Sequence, residues 1–165
     1  MKLSTLTLSF LLMSGVVSAQ EKVSFVNPMI GTVKMGHTFP GVCVPHGIVQ
    51  LSPDTDTIPH SINGVYQKDT YKYCAGYQHD DNTIVGFSHT HLSGTGHSDL
   101  GDILIVPVTG EYKFNPGVAD KPRSGYRSHF SHDTEVSRPG YYEVVLDDYK
   151  VCLLYTSPSP RDSTS

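Results

Sequence analysis

The sequence YYEVVLDDYKVCLL, residues 141–154, decides the fold class of this chain. Aromatic, aliphatic and β-branched residues dominate on both sides of the acidic pair Asp147–Asp148. Such residues are typical of strands, and two adjacent aspartates between two apolar runs favour a turn. The stretch therefore predicts an antiparallel β-hairpin.

Further strands are predicted on either side of this hairpin. Val42–Leu51 is rich in β-branched residues and ends at a predicted Pro53–Asp54 turn, Asn82–Ser88 alternates, and Asp102–Gly110 is a nearly continuous apolar run. With 15 glycines and 11 prolines, almost no window keeps helical spacing. We therefore predict an all-β, antiparallel β-sandwich, with a β-barrel or jelly roll as the nearest alternative. The polar stretch Asn115–Tyr142 is expected to be a long excursion between strands.

The composition and the N-terminus indicate an extracytoplasmic protein. The net charge of −4 gives no reason to expect nucleic acid or an anionic membrane as a partner. Residues 1–19 combine Lys2, an apolar core over Leu6–Val17 and the small-residue sequence Val17-Ser18-Ala19. This pattern predicts a cleaved signal peptide, and the apolar run is too short to span a bilayer. The mature chain is expected to be secreted or periplasmic.

The chain has three cysteines, Cys43, Cys74 and Cys152. In an oxidising compartment Cys43 and Cys74 could form a disulfide, which would leave Cys152 unpaired. Alternatively, the thiols are small apolar groups in the core.

A histidine-rich stretch, GFSHTHLSGTGHSDLGD at residues 86–102, contains the candidate functional residues. His89 and His91 are two positions apart, so on a strand they would share a face and could bind a metal with His97, Asp99 or Asp102. Alternatively, the histidines hold a glycine-rich loop by hydrogen bonds.

A third interpretation is a pocket for a sugar or another polyol. Such ligands need many neutral donors and acceptors and an aromatic floor, and the sequence YKYCAGYQHDD at residues 71–81 supplies three tyrosines just upstream. The catalytic signal is weak, because no Gly-x-Ser-x-Gly motif supports a serine nucleophile. Carboxylates that could form an acid–base pair are Asp80, Asp81, Asp99 and Asp102.

Four long blocks of the sequence resemble glycoside hydrolase family 92, and they occur in the same order as in that family. They are FVNPMIGT (25–32), GHTFPGVCVPHGIVQLSPDT (36–55), YCAGYQHDDNTIVGFSHTHLSGTGHSDLGDILIVPV (73–108) and PGYYEVVLDDY (139–149). The resemblance implies a secreted, calcium-dependent, inverting exo-α-mannosidase with an N-terminal β-sandwich and a C-terminal helical toroid. The resemblance implies that mannose-containing glycans are the substrates. It also implies that the catalytic carboxylates and the calcium ligands belong to the helical domain.

The resemblance also implies which residues contact the sugar. It implies that Gly36–Gly41 and Phe87–Gly96 are loops at the rim that faces the helical domain. It also implies that His89 and His91 shape the sugar pocket and do not form a metal site. One departure is that the family usually has tryptophan near Tyr71 and Tyr73, which weakens the expectation of sugar contact there. The residues expected to bind substrate are His37, Thr38, Phe39, Tyr71, Tyr73, Tyr77, His89 and His91.

We expect residues 1–19 to be the signal peptide, 20–151 a partial β-sandwich and 152–165 a non-native tail. The tail sequence, CLLYTSPSPRDSTS, resembles translated adapter sequence. On this interpretation the helical domain is missing, and the chain alone is inactive and poorly soluble. The alternative is a stand-alone carbohydrate-binding module without catalysis.

Overall fold

The computed structural model describes residues 22–43, 49–94, 96, 103–121 and 123–156. The described part is an antiparallel all-β structure with two short 3₁₀ helices, Lys68–Tyr73 and His132–Thr134, which confirms the predicted fold class. The strands are β1 Ser52–Asp54, β2 Ser61–Ile62, β3 Val65–Tyr66, β4 Thr83–Ile84, β5 Gly86–Ser88, β6 Leu104–Ile105, β7 Ser128–His129, β8 Val136–Arg138, β9 Tyr141–Leu146 and β10 Val151–Thr156.

The predicted hairpin is confirmed. β9 and β10 pair antiparallel from Leu146 opposite Val151 to Tyr141 opposite Thr156, and β8 lies on the other side of β9. Burial alternates along β9, as expected for a strand with one face in the core. β10 includes residues 152–156 of the stretch that the sequence indicated to be a non-native tail.

A second three-stranded sheet, in the order β1-β5-β6, shares a core with the β10-β9-β8 sheet. The two sheets contribute buried side chains to one apolar cluster, which is the packing of a β-sandwich. Full burial of each large aliphatic or aromatic side chain contributes about 1.5–3 kcal/mol. The cluster consists of Val42, Leu51, Tyr77, Ile84, Phe87, Phe130, Tyr142, Val144 and Leu146.

Two strand predictions before residue 90 need correction. Val42 and Leu51 form an antiparallel bridge with each other, so they cannot be the ends of one extended strand. The predicted Pro53–Asp54 turn is wrong, because both residues lie in β1 and pair with β5. The predicted strand Asn82–Ser88 is divided at Val85 into β4 and β5, which join different sheets.

Two predictions after residue 100 also need correction. In the described part of the apolar run, residues 103–110, only Leu104–Ile105 form a strand, and both residues of this strand are exposed. The predicted excursion Asn115–Tyr142 contains β7, β8 and the start of β9, so it is more ordered than its polar composition indicated.

The predicted signal peptide, residues 1–19, lies outside the described residues. Within the described ranges no helix has the length and apolar character needed to cross a bilayer. The three cysteines are free thiols in this structure; Cys74 is buried, whereas Cys43 and Cys152 are exposed.

Candidate functional site

A cavity of about 350 Å³ opens between the β1–β5 pair and the first 3₁₀ helix. Its wall combines carboxylates, hydroxyls and imidazoles with a few apolar side chains, which suits a polar ligand. The lining residues are Asp54, Asp56, His60, Thr70, Tyr73, Cys74, Gly76, Val85, Ser88, Thr90, His91 and Leu104.

Asp54 and His91 form the inner wall of the cavity. His91 Nε2 lies 3.0 Å from Asp54 Oδ1, and His91 Nδ1 lies 2.7 Å from the backbone oxygen of Gln50. The side chain of His91 is 3% exposed and that of Asp54 is 18% exposed, so this contact is largely shielded from water. The other carboxylate oxygen, Asp54 Oδ2, accepts the backbone N–H of Ser88 at 2.9 Å. These contacts attach the histidine-rich loop to β1 and β5.

The arrangement does not suit a serine nucleophile. Ser88 Oγ lies 3.1 Å from His91 Nε2, the same nitrogen that contacts Asp54. In a Ser-His-Asp relay the serine and the aspartate contact opposite nitrogens of the imidazole. His91 is therefore a hydrogen-bonded link between strands rather than a general base for Ser88.

Gly76 allows the cavity wall to close around this pair. A Cβ atom at Gly76 would lie 2.2 Å from Asp54 Oδ1 and 2.9 Å from His91 Nε2, and the residue has a φ of +79°. Both the space and the backbone conformation exclude a larger residue at this position. In the sequence, Gly76 is the feature that indicates this close approach of the backbone to Asp54 and His91.

A second polar group lies at the opposite wall. Tyr73 donates its hydroxyl proton to Asp81 Oδ2 at 2.9 Å, and the same hydroxyl lies 2.8 Å from Thr57 Oγ1. The guanidinium of Arg127 donates to the backbone oxygens of Thr55 and Asp56. Burial raises the pKa of Asp56 above its ordinary value, although a hydrogen bond from the backbone of Ile58 and the charge of Arg127 oppose this shift.

His37 and Tyr71, which were expected at the rim, pack against each other but are not among the residues that line the cavity. Their rings meet edge to face with centroids 4.9 Å apart, and Tyr71 keeps 43% of its surface exposed. His37 is 6% exposed and has a φ of +50°, and its Nε2 is buried without a hydrogen-bond partner among the described residues. Backbone strain and an orphan buried polar atom in one residue often mark a functional position.

Two more rim residues lie beside this pair. The ring of Phe39 lies 5.2 Å from that of His91, and Thr38 Oγ1 donates to the backbone oxygen of Ile30 at 2.8 Å. The backbone N–H of Gly94 donates to the oxygen of His37 at 2.6 Å. The loops 36–41 and 87–96, predicted to form one rim, therefore are in contact.

Other candidate residues are placed elsewhere or are inaccessible. Tyr77 is 0% exposed and donates to Glu135 in the core, so it cannot contact a sugar in this structure. His89 Nδ1 lies 2.8 Å from the oxygen of Ile103, away from the ring of His91. Asp80 is exposed. His97, Asp99 and Asp102, considered as metal ligands or acid–base groups, lie outside the described residues.

The main site residue missed in the sequence is Asp54. It was assigned to a turn, whereas in the structure it joins His91, Ser88 and Val85 across three segments. Its signal was the polar sequence Asp54-Thr55-Asp56 directly after an apolar run, which is unusual unless the carboxylates have buried partners.

Calcium, which the family resemblance implies, does not fit the ligands in the described part. Ca²⁺ takes six to eight oxygen ligands. In the described residues, the group of three side chains that could share an ion is His79, His132 and Glu135, and two of these offer nitrogen. We therefore assign no calcium ligand and no calcium-dependent step to these residues.

A comparison with protein families matches residues 25–159 to the "Glycosyl hydrolase family 92 N-terminal domain". Among curated proteins, the chain is 29% identical over 150 residues to a protein from Arthroderma benhamiae described as an uncharacterized secreted glycosidase. The match covers 88% of this chain and 17% of that protein.

Solved structures give the same result. A family GH92 α-mannosidase from Bacteroides thetaiotaomicron, solved in complex with mannoimidazole, is 45% identical, with a TM-score of 0.71, and is matched over 82% of this chain and 16% of its own. The GH92 family glycosyl hydrolase ccman5 is 28% identical, with a TM-score of 0.54, over 83% of this chain and 16% of its own. The chain thus spans about a sixth of the length of these relatives.

Proposed function

The chain belongs to the family of glycosyl hydrolase family 92 N-terminal domains, and we propose that it is the N-terminal part of a secreted or periplasmic enzyme that removes terminal α-linked mannose from glycans. The observation that carries the proposal is the 45% identity to an α-mannosidase whose structure contains mannoimidazole. The description of a fungal relative as secreted supports the location, together with the predicted signal peptide.

The described residues would contribute substrate contact rather than the reacting acid and base. Glycoside hydrolysis needs two carboxyl groups free to exchange protons, and inverting enzymes hold them about 6.5–9.5 Å apart. Here Asp54 is bound to His91, and Asp81 accepts from Tyr73, whereas Asp56 accepts the backbone N–H of Ile58. Each of these carboxylates has a structural role. We propose that the acid, the base and a calcium ion are provided by a C-terminal helical domain, and that this chain alone does not hydrolyse mannosides.

The sugar contact is best placed at Tyr71, beside His37, Thr38 and Phe39. Tyr71 has the exposed aromatic face that can stack on the apolar face of a pyranose, and its packing against His37 holds the ring in place.

The first prediction tests the activity and this contact in the complete protein that contains the chain. We expect it to hydrolyse an aryl α-mannoside and not the matching α-glucoside. Tyr71→Ala should lower kcat/KM about five- to tenfold, because an aromatic platform contributes about 1 kcal/mol. Tyr71→Phe should retain most of the activity, since the stacking face remains.

Tyr112→Ala is the matched control, because Tyr112 is also an exposed tyrosine, at 75%, but lies outside the segments 36–41 and 71–81 that are proposed to contact the sugar. Equal losses in the Tyr71 and Tyr112 variants would reject the contact while leaving the activity intact. Mannose binding without turnover by the complete protein would reject the enzyme and favour the binding module.

A further inference from the structure

Two histidines and one glutamate lie together on the side of the core where the second 3₁₀ helix packs. His132 begins that helix, and Glu135 follows its last residue, so the two side chains are one turn apart. His79 comes from the loop after the first 3₁₀ helix, and its backbone N–H donates to the oxygen of Thr32 at 2.8 Å. The potential ligand atoms of the three side chains all lie within 4.8 Å of one another.

The carboxylate of Glu135 is held in a fixed orientation. Its side chain is only 3% exposed, and it accepts hydroxyl protons from Tyr77 at 2.9 Å and from Tyr142 at 2.6 Å. Both tyrosines are buried core residues, so their hydroxyls fix the carboxylate from the side of the apolar core. Such partners of a ligating group orient it and tune its affinity for a metal.

The two imidazoles stack beside the carboxylate. The ring centroids of His79 and His132 are 4.0 Å apart, and His132 Nδ1 lies 2.6 Å from Glu135 Oε2. A cation bound between the two rings and the carboxylate would compensate the buried negative charge of Glu135.

From this geometry we propose that His79, His132 and Glu135 bind a divalent transition-metal ion, with zinc as the best fit, and water as the fourth ligand. Two imidazole nitrogens and one carboxylate oxygen suit Zn²⁺ and its neighbours in the first transition series, whereas Ca²⁺ and Mg²⁺ prefer oxygen. In a tetrahedral zinc site the ligand atoms are about 3.3 Å apart. Ligand atoms near the 4.8 Å limit therefore have to approach by up to about 1.5 Å, whereas His132 Nδ1 and Glu135 Oε2, now 2.6 Å apart, have to separate by about 0.7 Å. His132 is 37% exposed and has room to move.

The proposed ion would connect segments that are 53 positions apart, since it would join the loop at His79 to the helix at His132. Because only the folded state would bind the ion, metal binding would stabilise this side of the domain against unfolding. The open side toward solvent leaves a position for water.

The second prediction measures metal directly. The complete protein, dialysed against zinc and then against metal-free buffer, should retain zinc that is lost in His79→Gln and in His132→Gln, with a difference of about one ion per chain. Added zinc, but not calcium, should raise the first unfolding transition by about 5 °C or more. Cobalt should give the visible absorption of a tetrahedral site in the wild type and not in the two variants.

His129→Gln is the matched control, because His129 also contacts a carboxylate, that of Asp148, and lies in the same part of the chain. It should retain the zinc and the cobalt spectrum. The proposal is overturned if the wild type and the His79 and His132 variants hold the same amount of zinc. It is also overturned if calcium replaces zinc at this site.

Discussion

At the scale of single residues, the pair His89 and His91 shows what the spacing of two histidines in the sequence can and cannot predict about their roles. The separation of two positions predicted a shared face, and metal binding was one of the alternatives. In the structure His91 is buried against Asp54 and His89 contacts the backbone of Ile103. The partner that decides the role of His91 is 37 positions earlier in the sequence, where no local pattern reveals it.

The third prediction separates the two histidines by stability. His91→Ala should lower the free energy of unfolding by about 1.5–3 kcal/mol, because it removes a hydrogen bond to the carboxylate of Asp54. His89→Ala should cost only about 1 kcal/mol, the value of one hydrogen bond at a half-buried position. Calorimetry of the complete protein, read at the first unfolding transition, gives the comparison.

Neither substitution should change the zinc content, since both histidines are distinct from the cluster around Glu135. Equal destabilisation by the two substitutions would contradict the assignment of His91 as the structural member of the pair. Asp54→Asn should be intermediate, because the amide oxygen still accepts the backbone N–H of Ser88.

At the scale of elements, the turn between β9 and β10 connects the β10-β9-β8 sheet to the β4–β7 strand pair. Asp148 Oδ2 accepts the backbone N–H of His129 at 2.8 Å and faces His129 Nδ1 at 2.9 Å. The backbone N–H of Asp148 donates to Ser128 Oγ at 3.2 Å. The acidic turn that marked the hairpin in the sequence therefore also connects this hairpin to β7.

The fourth prediction concerns the pH dependence of this contact. Burial alone would raise the pKa of Asp148, but the hydrogen bonds from His129 lower it below its ordinary value. A carboxyl with a lowered pKa stabilises the fold above its unfolded pKa of about 3.9, and the contribution is lost as the pH falls through the folded value. Asp148→Asn should therefore cost about 1–2 kcal/mol at pH 7 and almost nothing at pH 2–3.

Asp147→Asn is the control, because the side chain of Asp147 makes no hydrogen bond among the described residues. Chemical denaturation at a series of pH values gives both curves. A difference between Asp148→Asn and wild type that stays constant down to pH 2–3 would contradict the role of the charge.

The elements also show which parts of the fold could be predicted and why. The β9–β10 hairpin was predictable because strand, turn and strand lie within 16 consecutive residues and one face of β9 is buried. The pairing of Val42 with Leu51 was missed, because a run of β-branched residues does not show which of its members pair with each other. The apolar run after residue 102 indicated a strand, but its composition did not show that the strand at Leu104–Ile105 is short and exposed.

At the scale of the whole molecule, the clearest feature is an exposed apolar edge. Among the described residues β6 is the outer strand of the β1-β5-β6 sheet, and Ile103, Leu104 and Ile105 are 60%, 39% and 47% exposed. An edge strand with exposed apolar side chains is a template for pairing with another chain. Soluble proteins usually protect such edges with charged residues or cover them.

The fifth prediction follows from this edge. When the chain is expressed alone without residues 1–19, it should be poorly soluble, and Ile105→Lys should increase its soluble fraction several-fold, because a charge on the edge strand disfavours pairing between copies. Val118→Lys is the matched control, since Val118 is 55% exposed but lies outside the strands, and it should have little effect. Light scattering and the soluble yield measure both variants. An equal gain from both lysines would mean that added charge alone improves solubility, and that the β6 edge has no special part in the aggregation.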